Sequence, residues 1–382
     1  MSIWNGKGFQ FGDLATRLPI VQGGMGVGIS MSRLASAVAC EGGIGVISTA
    51  CIGMFEPDFS KNGMEANIRR LREEIRRARA LMRSNLENKG LLGVNIMVAL
   101  TNFGDMVRTS IEEGIDVIFS GAGLPLNLPE YLQGNTHTKL VPIVSSARAA
   151  GLIIKRWRDK FCYFPDAVVV EGPLAGGHLG FSLEQLEDDR YRIENLVPEV
   201  LKVTRSFEGE ARREIPVIAG GGLYTGVDIA RIMEAGASGV QLGTRFVVTD
   251  ECDASDAFKQ SYLDAREGDV EIIKSPVGMP GRAIHNEFLQ QVGEGRKQPY
   301  ACAYHCISTC DLDKSPYCIA SALIQAQKGN LKHGFAFAGS NVWRCDKITS
   351  VHELIEELTE EFNDANLTIQ GTAASGPSVP AS

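Results

Sequence analysis

In the stretch "VVVEGPLAGGHLG", Val168 to Gly180, an apolar run ends at Glu171 and His178 follows directly on Gly176 and Gly177. An imidazole can take up or release a proton near neutral pH. Glycines beside it let backbone and ligand approach with no side chain between them. The pattern fits a histidine that meets a ligand at a strand end and serves as acid, base or anion holder. A histidine that merely satisfies a polar core contact has no need of the glycine pair. Two further stretches expose bare backbone. "AGGGLYTG" gathers Gly220, Gly221 and Gly222, and "QLGTRF" gathers Gln241, Gly243 and Thr244. Such turns present N–H groups to a phosphate, and Thr244 adds a hydroxyl. Tight turns without a ligand are the plainer reading of each loop taken alone.

A second concentration of reactive groups lies in "CAYHCISTCDLDKSPYC", which places Cys302, Cys306, Cys310 and Cys318 close together. In a helix, steps of four would put the first three thiols on one face. Three readings stand: small buried residues of a cap, an Fe–S or zinc site, or redox-active thiols. No short CxxC pair is present, and the spacing matches no common ferredoxin or zinc ribbon. The metal-ligand set is therefore left empty. His137, His333 and His352 read as solvated surface, and His285 and His305 remain open.

Elements must hold these groups in place. Eight short apolar runs recur, beginning at Pro19, Gly43, Leu91, Asp116, Lys139, Asp166, Ile215 and Gly239. Runs rich in Val and Ile with no polar face are what parallel strands buried on both sides require. Helical patterns alternate with them, as in "SRLASAVACEGG", with a Ser32 cap, and the long basic "MEANIRRLREEIRRARALMR". Alternation implies right-handed crossovers and a parallel sheet. Eight such units predict a (β/α)8 TIM barrel over residues 1–250, with an open doubly wound sheet as the alternative. Residues 251–368 predict a mainly helical C-terminal extension carrying the cysteines, broken at "SPVGMPGR". Residues 369–382 read as a disordered tail.

In a barrel the chemistry sits at the carboxyl ends of the strands. Those ends carry Gln22 to Met25, Asn95, Ser145 and Ser146, Glu171 to His178, Gly220 to Gly222, and Gln241 to Thr244. The loops after the last two strands, taken together, predict a phosphate site.

The chain has 382 residues, of which 44% are hydrophobic and 22% charged, and a formal net charge of −8. That balance argues against nucleic acid or an anionic membrane as partner. No signal-peptide pattern opens "MSIWNGKGFQ", and no apolar run is long enough to span a bilayer. Nine cysteines without such a signal point to reduced thiols and a cytoplasmic location.

The segments "PIVQGGMGVGIS", "GVNIMV", "EGPLAGGHLG", "IPVIAGGGL" and "GASGVQLGTRF" resemble, in order and spacing, the nitronate monooxygenase (2-nitropropane dioxygenase) family. They are also similar to the FMN-dependent enoyl-[acyl-carrier-protein] reductases. The likeness runs from about residue 17 to 290. It implies FMN as cofactor, with the phosphate on the loops of Gly220, Gly221, Gly222, Gly243 and Thr244. It further implies ring contacts from Gly24, Met25, Asn95, Gly176, Gly177 and Gln241, and His178 as the catalytic residue. Leu174 stands where the family commonly has an acidic residue, in "EAGGH" or "ESGGH" forms, and Glu171 is the candidate to orient the imidazole instead. The activity implied first is oxidation of alkyl nitronates by dioxygen. The alternatives are NAD(P)H-dependent enoyl-thioester reduction and a non-catalytic FMN-binding role. A small-molecule substrate is the expected partner, with NAD(P)H and a second copy of the chain left open.

Overall fold

A computed structural model describes residues 8–83, 90–296, 302 and 304–374. The strands of Val, Ile and Leu cannot leave either face in water, and they solve this by closing on themselves. They are β1 (Ile20–Gln22), β2 (Ile44–Ser48), β3 (Leu91–Met97), β4 (Val117–Gly121), β5 (Lys139–Val144), β6 (Val168–Glu171), β7 (Val217–Gly220) and β8 (Gly239–Leu242). Each pairs in parallel with its neighbours, and β8 meets β1 through Val240 opposite Ile20 and Gln241 opposite Val21. The result is the expected closed (β/α)8 barrel, and the open sheet is excluded. Val21, Val46, Phe119, Val169 and Ile218 fill its interior together with Phe9 and Phe11. The last two come from the N-terminal hairpin Gln10–Phe11/Leu14–Ala15, which stoppers the amino ends of the strands.

Helices α1 (Ser32–Cys40), α2 (Gly63–Arg83), α3 (Phe103–Glu112), α4 (Ala147–Phe161), α5 (Ile193–Ala211) and α6 (Gly226–Glu234) cover the outside. Only a 3₁₀ turn, Leu128–Tyr131, stands between β4 and β5. Ser146 caps α4 by accepting from Ala149 N–H. The Ser32 cap is not formed. Ser32 is already helical, and the first N–H groups of α1 go to distant carboxylates: Met31 and Leu34 to Asp253, Ser32 to Glu74. The physical need is the one the sequence implied, but the acceptors come from tertiary structure.

Beyond β8 the chain builds a cap from α7 (Asp256–Leu263), α8 (Glu287–Gly293) and α9 (Ile319–Gln327). It is not helical throughout. Residues read as helix with a break form the antiparallel hairpin β9 (Val270–Lys274) and β10 (Pro280–Ile284), and "SPVGMPGR" supplies its turn and much of its second strand. The cysteine stretch is also not helical: Cys302, Cys306 and Cys310 lie in irregular backbone, with Ile307 bridging Leu100. Proline and the polar "STCDLDKSP" run account for that, since they leave no continuous apolar helix face to bury.

The last helix, α10 (Val351–Ala374), returns to the barrel wall. It packs on α6 so closely that a Cβ on Gly226 would lie 2.3 Å from the Leu358 carbonyl oxygen. Gly226 N–H donates to Glu361, Arg245 pairs with Glu357 at 2.8 Å, and His352 reaches Glu41 just beyond α1. In this way α10 takes the place of the eighth barrel helix, and the cap is an excursion between β8 and it. The helix continues past residue 369, where the tail was expected to begin, and residues 375–382 lie outside the described residues. No described helix is long and apolar enough to cross a membrane.

Candidate active site

The carboxyl ends of the strands open into one cavity roofed by the cap. Its wall includes Gly24, Met25, Asn95, Glu171, Gly176, Gly177, His178, Gly221, Gly222, Gln241, Gly243 and Thr244. Of the residues expected to contact the cofactor or act in catalysis, Gly220 does not line the cavity; it sits one step behind, inside β7. Ser145 and Ser146 do not line it, and Gln22 is spent on backbone, accepting from Val46 N–H at 2.9 Å. From the cap come Phe258, Tyr262, Leu323, Phe337, Ala338, Gly339, Ser340 and Asn341, none of them singled out by sequence.

The cavity has a donor-rich end at β7 and β8. Gly221 and Gly222 hold φ of +91° and +85°, a backbone that favours glycine. Among the described hydrogen bonds, the N–H groups of Gly221, Gly222, Gly243 and Thr244 have no protein acceptor. The cap closes this end, with Gly339 N–H donating to Thr244 Oγ1 at 3.0 Å and Asn341 Nδ2 to the Gly222 carbonyl at 2.7 Å. Beside them the Ser340 hydroxyl is buried without a partner. Buried polar groups are rarely left unpaired, so this cluster of donors fits an anionic group such as a phosphate.

Other polar side chains wait in the same way. The amides of Asn95 and Gln241 and the carboxyl of Glu171 line the cavity with no protein hydrogen bond among the described residues. Asn95 rests against Gly24, where a Cβ would fall 2.2 Å from its own, so only glycine admits that contact. Burial alone raises the pKa of Glu171 from its ordinary 4.5 to about 7. The favourable effect of its protonation is therefore complete below about pH 4.5 and is lost as pH rises to 7. In the ligand-free protein Glu171→Gln is expected to stabilise relative to the parent above pH 7, on the order of 3 kcal/mol, and hardly at all near pH 4.5. Urea unfolding at both pH values measures this, and a pH-independent difference would contradict it.

His178 is placed by the cap. Gly177 and His178 form a short strand that pairs with β10, Gly281 opposite His178 and Arg282 opposite Gly177. Arg282 then donates to the Pro173 and Ala175 carbonyls and pins the preceding turn. Gly177 takes a φ of +82°. Gly176 is crossed by the cap so tightly that a Cβ would meet the Ala338 carbonyl carbon at 2.5 Å. Packing and backbone conformation thus account for the glycine pair. The imidazole Nε2 is 2.7 Å from Ser275 Oγ, and the ring meets Phe337 edge-on at 5.0 Å between centroids. Glu171 is not its hydrogen-bond partner; the orienting contact comes from the cap. Burial pushes the His178 pKa down to about 4, so the ring is neutral at physiological pH.

Of the four cysteines in the spaced run, Cys306 and Cys318 pack into one apolar cluster, while Cys310 faces elsewhere. Cys310 turns to Ser315 Oγ at 3.4 Å, and Cys306 packs beside Cys51, which sequence spacing does not flag. Among the described residues no group of three or more histidine, cysteine or acidic side chains is arranged to hold a metal ion.

Known proteins share this architecture. The chain is 30% identical over 279 residues to (3aS,4S,5R,7aS)-5-hydroxy-7a-methyl-1-oxo-octahydro-1H-indene-4-carboxyl-CoA dehydrogenase of Mycobacterium tuberculosis, covering 73% of this chain and 66%, just under two thirds, of that one. It is 26% identical over 309 residues to a probable nitronate monooxygenase of Staphylococcus saprophyticus, covering 74% of this chain and 80% of that protein. The solved structure of FabK from Thermotoga maritima superposes with a TM-score of 0.69 at 27% identity, over 93% of this chain and 95% of that one. The family model for nitronate monooxygenase matches residues 10–361, from the N-terminal stopper through the cap to α10, and the chain belongs to that family of oxidoreductase enzymes.

Proposed function

We propose that the protein is an FMN-dependent nitronate monooxygenase that oxidises alkyl nitronates with dioxygen. The observation that carries this is one cavity with two ends. Unpaired N–H groups and the orphaned Ser340 hydroxyl fit a phosphate at β7 and β8, and a neutral histidine lines the same space. Gly221, Gly222, Gly243, Thr244 and Ser340 would hold the FMN phosphate. Gly24, Met25, Asn95, Gly176, Gly177 and Gln241 would lie against the ring. Glu171 would accept from the hydroxyl or N–H donors between them. The chemistry supplied by the bound cofactor is electron acceptance from the substrate, with dioxygen as final acceptor.

His178 decides which substrate form suits the site. Ser275 Oγ already accepts from Val277 N–H at 3.2 Å, so its own hydrogen is free to point at His178 Nε2. That leaves the proton on Nδ1 and makes the neutral ring a hydrogen-bond donor. A donor suits a nitronate, whose negative charge is already present. A ring whose conjugate acid has a pKa near 4 is a weak base for abstracting a proton from carbon. Preformed nitronates are therefore the preferred substrates, and neutral nitroalkanes the poorer ones.

A second reading is supported by the carboxyl-CoA dehydrogenase relative and the likeness to FabK. The same donor would polarise a thioester carbonyl, with NAD(P)H as reductant of the cofactor. Oxygen uptake with propionate-3-nitronate in air, without NAD(P)H, tests the first reading. No uptake with any nitronate, together with NAD(P)H consumption dependent on an enoyl thioester, would replace the first reading by the second. An absorbance spectrum of the purified protein tests the cofactor in either case.

A further inference from the structure

We propose that Cys51 and Cys306 form a reversible dithiol–disulfide couple that staples the cap to the barrel beside the cavity. Cys51 lies in the loop after β2, and Cys306 lies in the cap segment between α8 and α9. Cys306 packs against the cluster in which Cys51 is buried, close enough for each thiol to perturb the other. Both belong to a small apolar cluster with Val27, Met54, Phe59 and Ile324, separate from the barrel interior. Its edge, Val27, Ala50 and Leu323, is also cavity wall.

Both partners are held in place by backbone. Cys51 adopts a φ of +50°, unusual for a residue with a side chain, and its turn is fixed by Met54 N–H to the Cys51 carbonyl and by Gly53 N–H to Asn67. Cys306 is anchored from the other side. Its carbonyl accepts from Thr101 N–H, Ile307 bridges Leu100, and Ser308 N–H donates to the Ala99 carbonyl. Two thiols packed in one cluster, on segments each tied to a different barrel loop, lose little freedom on joining.

The two thiols are also unequal, as exchange chemistry prefers. Cys51 is buried, and contact with Cys306 together with burial raises its pKa well above the usual range. Cys306 is only half-buried, and its pairing with Cys51 lowers its pKa. Because Cys306 is the more exposed of the two, it is the thiol an oxidant reaches first, and buried Cys51 is the resolving thiol. With hydrogen peroxide as oxidant, the Cys306 sulfur attacks one peroxide oxygen, the O–O bond breaks, and one water leaves. Cys51 then attacks the Cys306 sulfenic acid, an S–S bond forms, and the second water leaves. The two thiols give up two electrons and two protons, and the peroxide takes both. A thiol reductant reverses the change.

This couple does not depend on the cofactor or on the substrate proposed above. The test uses the full-length protein, treated with hydrogen peroxide, alkylated after denaturation and mapped by mass spectrometry. The expected result is a Cys51–Cys306 cross-linked peptide, loss of the mass of two hydrogens, and a rise in Tm of roughly 5 °C that dithiothreitol reverses. Cys306→Ser and Cys51→Ser should each abolish the cross-link and the Tm rise. Cys310→Ser, which alters the thiol facing Ser315, should keep both. Three outcomes would overturn the proposal. One is a Cys51 that remains fully alkylatable after oxidation, and another is a cross-link from Cys306 to Cys318 in the parent protein. The third is stoichiometric zinc or iron in the untreated protein that is lost in Cys306→Ser.

Discussion

His178→Ala is expected to retain the flavin and lose turnover on nitroalkanes by ~10²–10⁴-fold, the range for removing a general acid or base, and on preformed nitronates by a smaller factor. Retention follows from geometry, because the phosphate donors are backbone N–H groups and the Ser340 hydroxyl, none of them supplied by the His178 side chain. The loss follows from removing the one imidazole in the cavity wall among the described residues. The two substrate classes should differ. A nitroalkane must lose a carbon-bound proton, so its rate should fall furthest, and a preformed nitronate loses only a hydrogen-bond donor. The pH profile provides a second readout. With the His178 pKa at about 4, the parent enzyme's rate on nitronates should show no inflection from this group between pH 5 and 8. Flavin content and steady-state rates for both substrate classes measure these effects. Full activity on both would show that His178 serves the fold alone.

Gly243→Val is expected to abolish stable flavin binding while leaving the fold intact. The position has an ordinary negative φ of −114°, and a Cβ there meets nothing closer than Met25 Sδ at 3.7 Å. The substitution therefore adds bulk toward the cavity without straining the backbone. A branched side chain beside the Gly243 and Thr244 N–H groups would keep an anion at arm's length from its donors, and a loss of affinity of at least 100-fold, about 3 kcal/mol, is expected. Gly221→Val is the less clean experiment. Its φ of +91° and the Gly172 carbonyl oxygen 2.9 Å from a Cβ mean that the loop itself must shift. That variant should lose both flavin and thermal stability. Flavin fluorescence released on denaturation, together with Tm, separates the two cases. Near-normal flavin in Gly243→Val would move the phosphate away from this loop.

The barrel was legible because its strands obey a constraint that acts locally. A parallel strand covered on both sides must be apolar at every position, so "VVV", "IPVI" and "LLGVNIM" announce themselves whatever they pair with. The turns at β7 and β8 were legible for a related reason: a backbone that needs positive φ needs glycine, and Gly221 and Gly222 have it. The same rule misleads at Gly176. Its missing side chain reads as room for a ligand, yet the space is filled by Ala338 and Gly339 from a segment far along the chain.

By itself, then, the sequence determined the alternation of strands and helices, the strand ends where polar and glycine residues collect, and the histidine placed among them. Tertiary structure alone decided how that histidine is held. Its pairing with β10, its contact with Ser275, the orphaned hydroxyl of Ser340 and the meeting of Cys51 with Cys306 all join segments remote in sequence. Two-residue strands and single side-chain contacts leave no periodic trace, so no local pattern could announce them. The return of α10 to the barrel wall belongs with these. Its amphipathic pattern specified a helix, but only the exposed flanks of α1 and α6 specified where its apolar face would be buried.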